Sequence, residues 1–141
     1  MFISATTQNN SRHLLTPKIL VLEDDQATAD VIKEWLTMCG YICYTERNTS
    51  DMIGLMTSYQ PDLLIIDYLL PGINGGELCS QVKRQEKANR IAVIICSAYP
   101  KILLSLGDYG CDAFIAKPFD LDELTKKVVQ LLENNHHQAA M

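Results

Sequence analysis

The sequence predicts an α/β fold in which helices cover both faces of a parallel sheet. Short, continuous apolar runs lie at residues 19–22, 63–66, 91–95 and 113–116, as is typical of parallel strands buried on both sides. Stretches with apolar residues at helical spacing separate these runs. Acidic, hydroxyl or basic side chains closely follow each run, at the strand ends where ligands bind in open parallel sheets.

Strands and helices alternate along the folded part of the chain. We predict strands at 18–23, 41–44, 62–67, 91–96 and 112–116. Helices are expected over 27–39, over 48–59, from the loop 71–76 to about 86, over 100–107, and from 121 to 133. Because parallel connections are right-handed crossovers, this (βα)5 alternation predicts a single doubly wound, five-stranded parallel sheet with the flavodoxin-like order 2-1-3-4-5.

Local signals support the helix boundaries. Gly40 ends the first helix, and Pro61 ends the second, which Gly54 weakens. Asp120 and Glu123 form a capping-box pattern at the start of the last helix. The apolar positions expected to face the core are Ala29, Ile32, Trp35, Leu36 and Cys39 in the first helix, Leu78 and Val82 in the third, and Leu121, Leu124, Val128 and Leu131 or Leu132 in the last.

Length and composition indicate one domain, which we place at 17–133 between flexible tails at 1–16 and 134–141. The net charge of −5 argues against direct binding to DNA, which requires a basic surface. No apolar run is long enough to span a membrane, and no signal peptide is evident. The five cysteines lack zinc or redox spacing. They are expected to be reduced, mostly buried thiols in a cytoplasmic protein.

The polar residues at the strand ends suggest phosphoryl chemistry. Asp24 and Asp67 flank the crevice between strands 1 and 3, and clustered carboxylates suit Mg²⁺, with Mn²⁺ as a second option. Lys117 supplies a positive charge and Ser97 a hydroxyl group. This combination fits a phosphoryl group in transfer. Asp67 is the natural nucleophile, since a carboxylate can form an acyl phosphate.

Each of these signals has an ordinary structural explanation when it is taken alone. The acidic run 23–25 could simply cap the first helix, and Asp25 is expected to lie near that cap without binding a ligand. Asp67 and Ser97 could be ordinary strand-end residues, and Lys117-Pro118 alone carries little information. The conjunction is specific because all of these side chains fall at strand ends, in the order that the geometry requires.

With these residues in view, the chain resembles the receiver domains of two-component response regulators. The resemblance covers about residues 17–133, and its motifs are Ile19–Asp25, Asp67–Gly75, Ser97–Ala98 and Lys117–Phe119. It implies a phosphorylation-switched signalling domain. The residue that accepts the phosphoryl group would follow strand 3, and the metal site would lie beside it.

The resemblance also implies a role for each matching residue. Asp67 would accept a phosphoryl group from a phosphohistidine, and Lys117 would pair with that group. Asp24 and Asp67 would bind Mg²⁺ directly, Glu23 would act through water, and Leu69 would offer its backbone carbonyl. Ser97 would hydrogen-bond the phosphoryl group as the first switch residue.

Phe114 stands where the family has its second, aromatic switch residue, although a plain core phenylalanine is an equal alternative. The stretch 99–107 is somewhat shorter than usual in the family, so the helix there is expected to be short or distorted. Tyr99 and Leu69 occupy positions that tune dephosphorylation in the family. Bulky apolar groups at those positions should hinder an attacking water and slow autodephosphorylation.

These inferences predict a stand-alone response regulator receiver that takes part in phosphorelay signalling. Its partners would be a sensor histidine kinase or a histidine phosphotransfer protein and an unidentified downstream protein. We expect no DNA or membrane binding, and homodimerisation is an open option. The protein would catalyse its own phosphorylation without being a turnover enzyme.

The same residues leave three other functions open. The first is a receiver-like scaffold that works without phosphorylation, although the acidic residues and the lysine are retained. The second is a small-molecule phosphatase or phosphotransferase, whose nucleophile would usually follow strand 1. The third is a flavin-binding module, in which the acidic run 23–25 would repel the flavin phosphate.

Overall fold

A computed structural model describes residues 15–85, 90–99, 101 and 109–140. Five parallel strands form one sheet in the order β2-β1-β3-β4-β5, which confirms the predicted fold class. The strands are β1 Lys18–Leu22, β2 Ile42–Glu46, β3 Leu63–Asp67, β4 Ala92–Ser97 and β5 Ala113–Ala116. The helices given by these residues are α1 Gln26–Met38, α2 Met52–Tyr59, α3 Gly75–Arg84 and α4 Leu121–Ala140.

The sheet separates two apolar cores because successive side chains of a strand point to opposite faces. On one face, Val21 and Ile65 belong to the core that includes α1 and α4 residues such as Leu36 and Val128. On the other face, alternate strand residues pack with side chains of α2 and α3. Strands β1, β3 and β4 are almost wholly buried, which explains their continuous apolar character.

Side-chain caps define where the helices begin. Asp25 accepts a hydrogen bond from the backbone N–H of Thr28 at 3.0 Å, as expected for a capping residue. Asp120 similarly accepts from the N–H of Glu123 at 2.7 Å. The predicted start of α2 at 48 was wrong, because Asp51 is the cap and the helix begins at Met52.

The end of the last helix also differs from the prediction. We placed a flexible tail from 134, but α4 continues to Ala140. No glycine or proline lies between Leu121 and Ala140 to stop it, and the side chain of Asn135 donates a hydrogen bond to the carbonyl of Arg90.

Two predictions fall largely outside the described residues: the tail at 1–16 and the short helix at 100–107. Within the described part of the chain, no helix has both the length and the apolar character needed to cross a membrane.

Candidate functional site

Three predicted site residues lie on the same face of the sheet at its carboxyl edge. Glu23, Asp67 and Lys117 each come two positions after a residue of the core that α1 and α4 cover, and an even offset along a strand direction keeps the same face. The register agrees, since Leu22 lies opposite Ile66 and Asp67 lies opposite Cys96. Strand order therefore brings residues 94 positions apart in the chain into contact.

Lys117 connects the two carboxylates. Its Nζ donates to Glu23 Oε1 at 2.6 Å and lies 3.2 Å from Asp67 Oδ2. Glu23 is only 3% exposed, and a buried carboxylate is costly unless it is paired. Burial alone would lower the pKa of Lys117, but the hydrogen bond with Glu23 and the charges of Asp67 and Glu23 outweigh burial and raise it. Lys117 is therefore a cation throughout the neutral pH range.

The carboxyl group of Asp67 has a higher pKa than that of an ordinary aspartate. Burial, followed by the hydrogen bond and charge of Glu23, raises its pKa to about 6, although Lys117 acts in the opposite direction. Two acidic groups beside one lysine thus retain an excess of negative charge. A second cation near Glu23 and Asp67 would relieve this excess.

Asp24 is not drawn into this group. Its Oδ1 lies 4.0 Å from Nε of Arg47, and both side chains are largely exposed. Within 15–85, 90–99, 101 and 109–140, no three His, Cys, Asp or Glu side chains are arranged to hold a metal ion. The expected carboxylate set is thus only partly assembled: Glu23 and Asp67 adjoin Lys117, while Asp24 adjoins Arg47. Their oxygen donors still fit a hard cation such as Mg²⁺.

Asp25 occupies the helix cap, as predicted. Its hydrogen bonds with the side chain and backbone of Thr28 lower its pKa. Its backbone N–H also donates to Glu23 Oε2 at 3.2 Å. Asp25 therefore helps to orient Glu23 through its main chain, while its carboxylate serves the helix.

The turn after β3 is packed closely against Asp67. The N–H of Tyr68 donates to the carbonyl of Cys96 at 2.8 Å, and the Tyr68 carbonyl accepts from the N–H of Gly75, also at 2.8 Å. A side chain at Gly75 would collide with the Asp67 carbonyl and lie 2.8 Å from Ile66 Cγ2. Glycine is therefore required where this turn enters α3. Leu69, within the turn, has an exposed side chain.

Ser97 is buried at the end of β4, where its Oγ accepts from the N–H of Tyr99 at 2.9 Å. Its carbonyl accepts from the N–H of Lys117 at 2.8 Å. Ser97 thus links the loop after β4 to the strand end that carries Lys117. Among the described residues, the hydroxyl group of Ser97 is hydrogen-bonded to Tyr99 and not to Asp67.

Phe114 lies on the edge strand β5 and is 43% exposed. The alternative of a plain core phenylalanine is therefore wrong for this conformation. The ring lines a groove of about 550 Å³ that also includes Lys127 and Leu131 of α4. An inward rotation of this ring would remove apolar surface from water. The role of Phe114 as a packing-driven switch stays a prediction.

Other features near the site were missed by sequence reasoning. Arg47 follows β2 directly, and the strand-end rule applied to the other strands could have found it. Tyr109, whose ring adjoins Gly76, gave no local signal. A hydrogen bond with Tyr109 is the main cause of a raised pKa at Tyr68. An apolar groove of about 590 Å³ also opens beside Lys117, between Val31 of α1 and the 118–121 segment.

The cysteine prediction is met in part. Cys43, Cys79 and Cys96 are buried, whereas Cys39 is exposed. Burial raises the pKa of Cys43 to about 11, and it also raises that of Cys96, which lies opposite Asp67. Both thiols therefore stay protonated near neutral pH and are poor nucleophiles.

Comparison with known proteins identifies the family. A family model described as the response regulator receiver domain matches residues 19–129. The DNA-binding dual master transcriptional regulator RpaA of Synechocystis is 32% identical over 118 residues, which cover 82% of this chain and 49% of RpaA. The response regulator ArlR of Staphylococcus aureus is 35% identical over 115 residues, which cover 82% of this chain and 52% of ArlR.

A solved structure agrees with these sequence comparisons. The response regulator TrrA of Thermotoga maritima, crystallised in complex with Mg²⁺-BeF, superimposes with a TM-score of 0.74 at 30% identity. The match covers 82% of this chain and 99% of TrrA. The chain spans about half the length of the curated relatives it matches. Together with the strand order and the strand-end residues, these matches show that the chain belongs to the receiver domain family of two-component response regulators.

Proposed function

We propose that this chain accepts a phosphoryl group on Asp67 in a phosphorelay. Receiver domains in general are phosphoacceptors of two-component systems and bind Mg²⁺. The observation that carries the proposal is Lys117, whose ammonium lies within 3.2 Å of Asp67 and closer still to Glu23. A fixed positive charge beside a nucleophilic carboxylate is what phosphoryl transfer requires.

In the proposed step, an Asp67 carboxylate oxygen attacks phosphorus of a phosphohistidine. The O–P bond forms as the N–P bond breaks, and the histidine leaves with the electron pair and regains a proton from water. Lys117 then pairs with a phosphoryl oxygen and offsets part of the added charge. The raised pKa of Asp67 also predicts that the nucleophilic form is populated mainly above pH 6.

Mg²⁺, or Mn²⁺ in its place, would neutralise phosphoryl oxygens and so make the attack by a carboxylate feasible. The donors available to hold it are the carboxylates of Asp24 and Asp67, the backbone carbonyl of Leu69, and Glu23 through water. Support comes from the excess negative charge around Asp67 and from the all-oxygen character of the donors. Asp24 would have to exchange Arg47 for the cation.

Two residues would convert phosphorylation into a change of surface. Ser97 Oγ, which now accepts from the N–H of Tyr99, would donate its proton to a phosphoryl oxygen and draw the loop after β4 towards Asp67. Phe114 would leave the surface of β5 and pack inward. Its exposure supports this proposal because a partly exposed ring has apolar area still to bury.

The proposed partners are a sensor histidine kinase or a histidine phosphotransfer protein upstream and a protein target downstream. The groove between Val31 and Phe119 opens directly beside Lys117, and an apolar surface at that place suits a protein that delivers its histidine to Asp67. RpaA is DNA-binding by name. For this chain we propose output through proteins, because its net charge is −5.

We also propose that the protein is a stand-alone cytoplasmic regulator and that it accepts phosphate without enzymatic turnover. Homodimerisation is an option and not a requirement of the proposal. Reduced, buried thiols such as Cys43 and Cys96 support the cytoplasmic assignment. A receiver-like scaffold working without phosphate is the second candidate. The pairing of Asp24 with Arg47, away from Asp67, favours it.

Intact mass after incubation with acetyl phosphate and Mg²⁺ separates the two candidates. We expect wild type and Asp25→Asn, which alters only the helix cap, to gain one phosphoryl group of about 80 Da. Asp67→Asn should gain nothing. Failure of wild type to gain mass with both acetyl phosphate and a phosphorylated histidine donor would exclude the phosphoacceptor and favour the scaffold.

A further inference from the structure

Tyr109 fills a space that Gly76 leaves open. A methyl group at Gly76 would lie 2.5 Å from Cε2 of the Tyr109 ring, so that no larger residue fits there while the ring stays in place. Tyr109 has a left-handed backbone, with φ of 52°, which is uncommon for a residue with a side chain. Ser80 Oγ lies 3.5 Å from the Tyr109 carbonyl. Tyr109 therefore packs against the first turns of α3.

The Tyr109 ring also contacts Tyr68, the residue directly after Asp67. The two ring centroids lie 6.4 Å apart at a tilt of 48°, a geometry that is favourable for aromatic pairs. Tyr68 is 6% exposed, and its backbone donates to Cys96 and accepts from Gly75. A residue held at its main chain and at its ring leaves little freedom to the neighbouring peptide of Leu69.

We propose that Tyr109 is a positioning residue of the phosphorylation site, which acts by holding Tyr68 and thereby the turn that carries the Leu69 carbonyl. The inference rests on the proposed function, since it concerns the donors of the same cation. Residues behind metal ligands orient those ligands, and their loss commonly weakens metal binding by about tenfold or more. The turn begins directly after the Asp67 carbonyl, which lies close to Gly75.

The geometry specifies how the contact can be broken in two independent ways. Tyr109→Ala removes the ring, and Gly76→Ala pushes it away. Gly76→Ala would otherwise favour α3, because alanine is the better helix former by about 1 kcal/mol. In a Tyr109→Ala background that clash is gone, so the second alanine is expected to stabilise the protein. If Gly76→Ala destabilises the wild-type protein but stabilises Tyr109→Ala, the packing of the Tyr109 ring against Gly76 is established.

The functional test is the affinity for Mn²⁺, measured by electron paramagnetic resonance at a temperature well below the Tm of every variant. Tyr109→Ala and Gly76→Ala should each weaken Mn²⁺ binding by about tenfold and slow phosphorylation by acetyl phosphate at a fixed, subsaturating Mg²⁺ concentration. Tyr109→Phe keeps the ring and loses only the hydroxyl group that hydrogen-bonds Tyr68. Because the ring packing remains, it should bind Mn²⁺ within about twofold of wild type.

Tyr59→Ala is the matched control. Tyr59 belongs to a second tilted pair, with Tyr44 at 4.7 Å, that packs against the same core. Its loss should lower the Tm without changing the Mn²⁺ affinity. Wild-type Mn²⁺ affinity in a folded Tyr109→Ala or Gly76→Ala protein would overturn the inference, as would an equal loss in Tyr59→Ala. Absence of Mn²⁺ binding and phosphorylation in wild type would instead refute the proposed function.

Discussion

The carboxylate of Asp67 lies 3.2 Å from the ammonium of Lys117, and yet its pKa is raised to about 6. Attraction to one lysine is outweighed by burial and by the second carboxylate, Glu23, with which that lysine makes its shorter contact. A site arranged in this way holds more negative charge than its own cation balances. This imbalance has consequences for stability as well as for ligand binding.

The first prediction concerns the stability of Asp67→Asn. A carboxyl group whose folded pKa is raised from 3.8 to about 6 favours the folded state only while it is protonated. Its contribution is therefore complete below pH 3.8 and is lost as pH rises through 6. In EDTA at pH 7, Asp67→Asn should be more stable than wild type by up to about 3 kcal/mol, as measured by urea denaturation.

The pH profile supplies the control for this prediction. The stability difference between Asp67→Asn and wild type should grow between pH 4 and pH 6 and stay constant above about pH 7. Asp25→Asn is the control: the hydrogen bonds with Thr28 lower the pKa of Asp25, so its stability difference from wild type should show no such rise. A stability difference of the same size at pH 4 and pH 7 would contradict the raised pKa of Asp67.

The second prediction concerns Lys117→Met. Without the ammonium, Glu23 stays buried with no countercharge and Asp67 loses its nearest cation. Removing one partner of such a pair typically costs about 3 kcal/mol or more, and the cost should shrink as the pH falls through about 6 and Asp67 becomes protonated. Chemical denaturation of Lys117→Met, with Lys126→Met on the exposed side of α4 as the control, measures it.

A double mutant tests the origin of that cost. Glu23→Gln combined with Lys117→Met should be more stable than the sum of the two single changes allows, because the amide needs no countercharge. Additive effects would show that Lys117 stabilises the protein through packing of its aliphatic stem instead of its charge.

Local patterns were sufficient to predict the alternation of strands and helices, the strand order and the edge at which Glu23, Asp67 and Lys117 meet. Each depends on a continuous apolar run and on the chirality of parallel connections. The extended α4 and the exposure of Phe114 could not be derived in this way. The first depends in part on the hydrogen bond from Asn135 to the distant carbonyl of Arg90, and the second on how far neighbouring side chains cover the edge strand β5.

Side-chain pairing between distant residues was equally out of reach. The strand-end position of Arg47 is readable from the sequence, but its pairing with Asp24, 23 positions away, is not. Tyr109 gave no local signal, and its partner Gly76 lies 33 positions away. Neither separation matches a helical or a strand period, so no periodicity signals them.

The third prediction concerns the glycine at the start of α3. Gly75→Ala should lower the free energy of unfolding by about 2 kcal/mol, because the added methyl group meets backbone of Asp67 and the Ile66 side chain. Gly54→Ala in α2 is the comparison. The atoms nearest to its methyl group all belong to the Asp51 side chain, which can rotate away at the loss of one cap, about 1 kcal/mol. An equal or larger loss in Gly54→Ala would contradict the steric argument.

The fourth prediction concerns the lifetime of the phosphorylated protein. Tyr99 follows Ser97 closely and donates its N–H to the Ser97 hydroxyl, so closure of the loop onto the phosphoryl group would bring the ring over it. We expect slow hydrolysis, over minutes or longer, and a rate about fivefold faster in Tyr99→Ala, which corresponds to about 1 kcal/mol. Tyr99→Phe should behave as wild type. A phosphoryl lifetime of seconds that Tyr99→Ala leaves unchanged would show that the Tyr99 ring does not shield the phosphoryl group from water.

The fifth prediction concerns competition between Arg47 and a metal ion. The guanidinium lies 4.0 Å from Asp24 Oδ1, at an exposed position where such pairs are weak. Arg47→Ala should therefore tighten Mn²⁺ binding by about two- to threefold at low salt. The gain should fade as salt screens the pair.

Two comparisons separate this competition from a simple change in net charge. Lys33→Ala removes a positive charge from an exposed position of α1 and should leave Mn²⁺ affinity nearly unchanged. Arg47→Ala should also have no effect in an Asp24→Asn background, because the group for which the two cations compete is then uncharged. If the gain persists in that background, Arg47 acts on the site through the general field and not through Asp24.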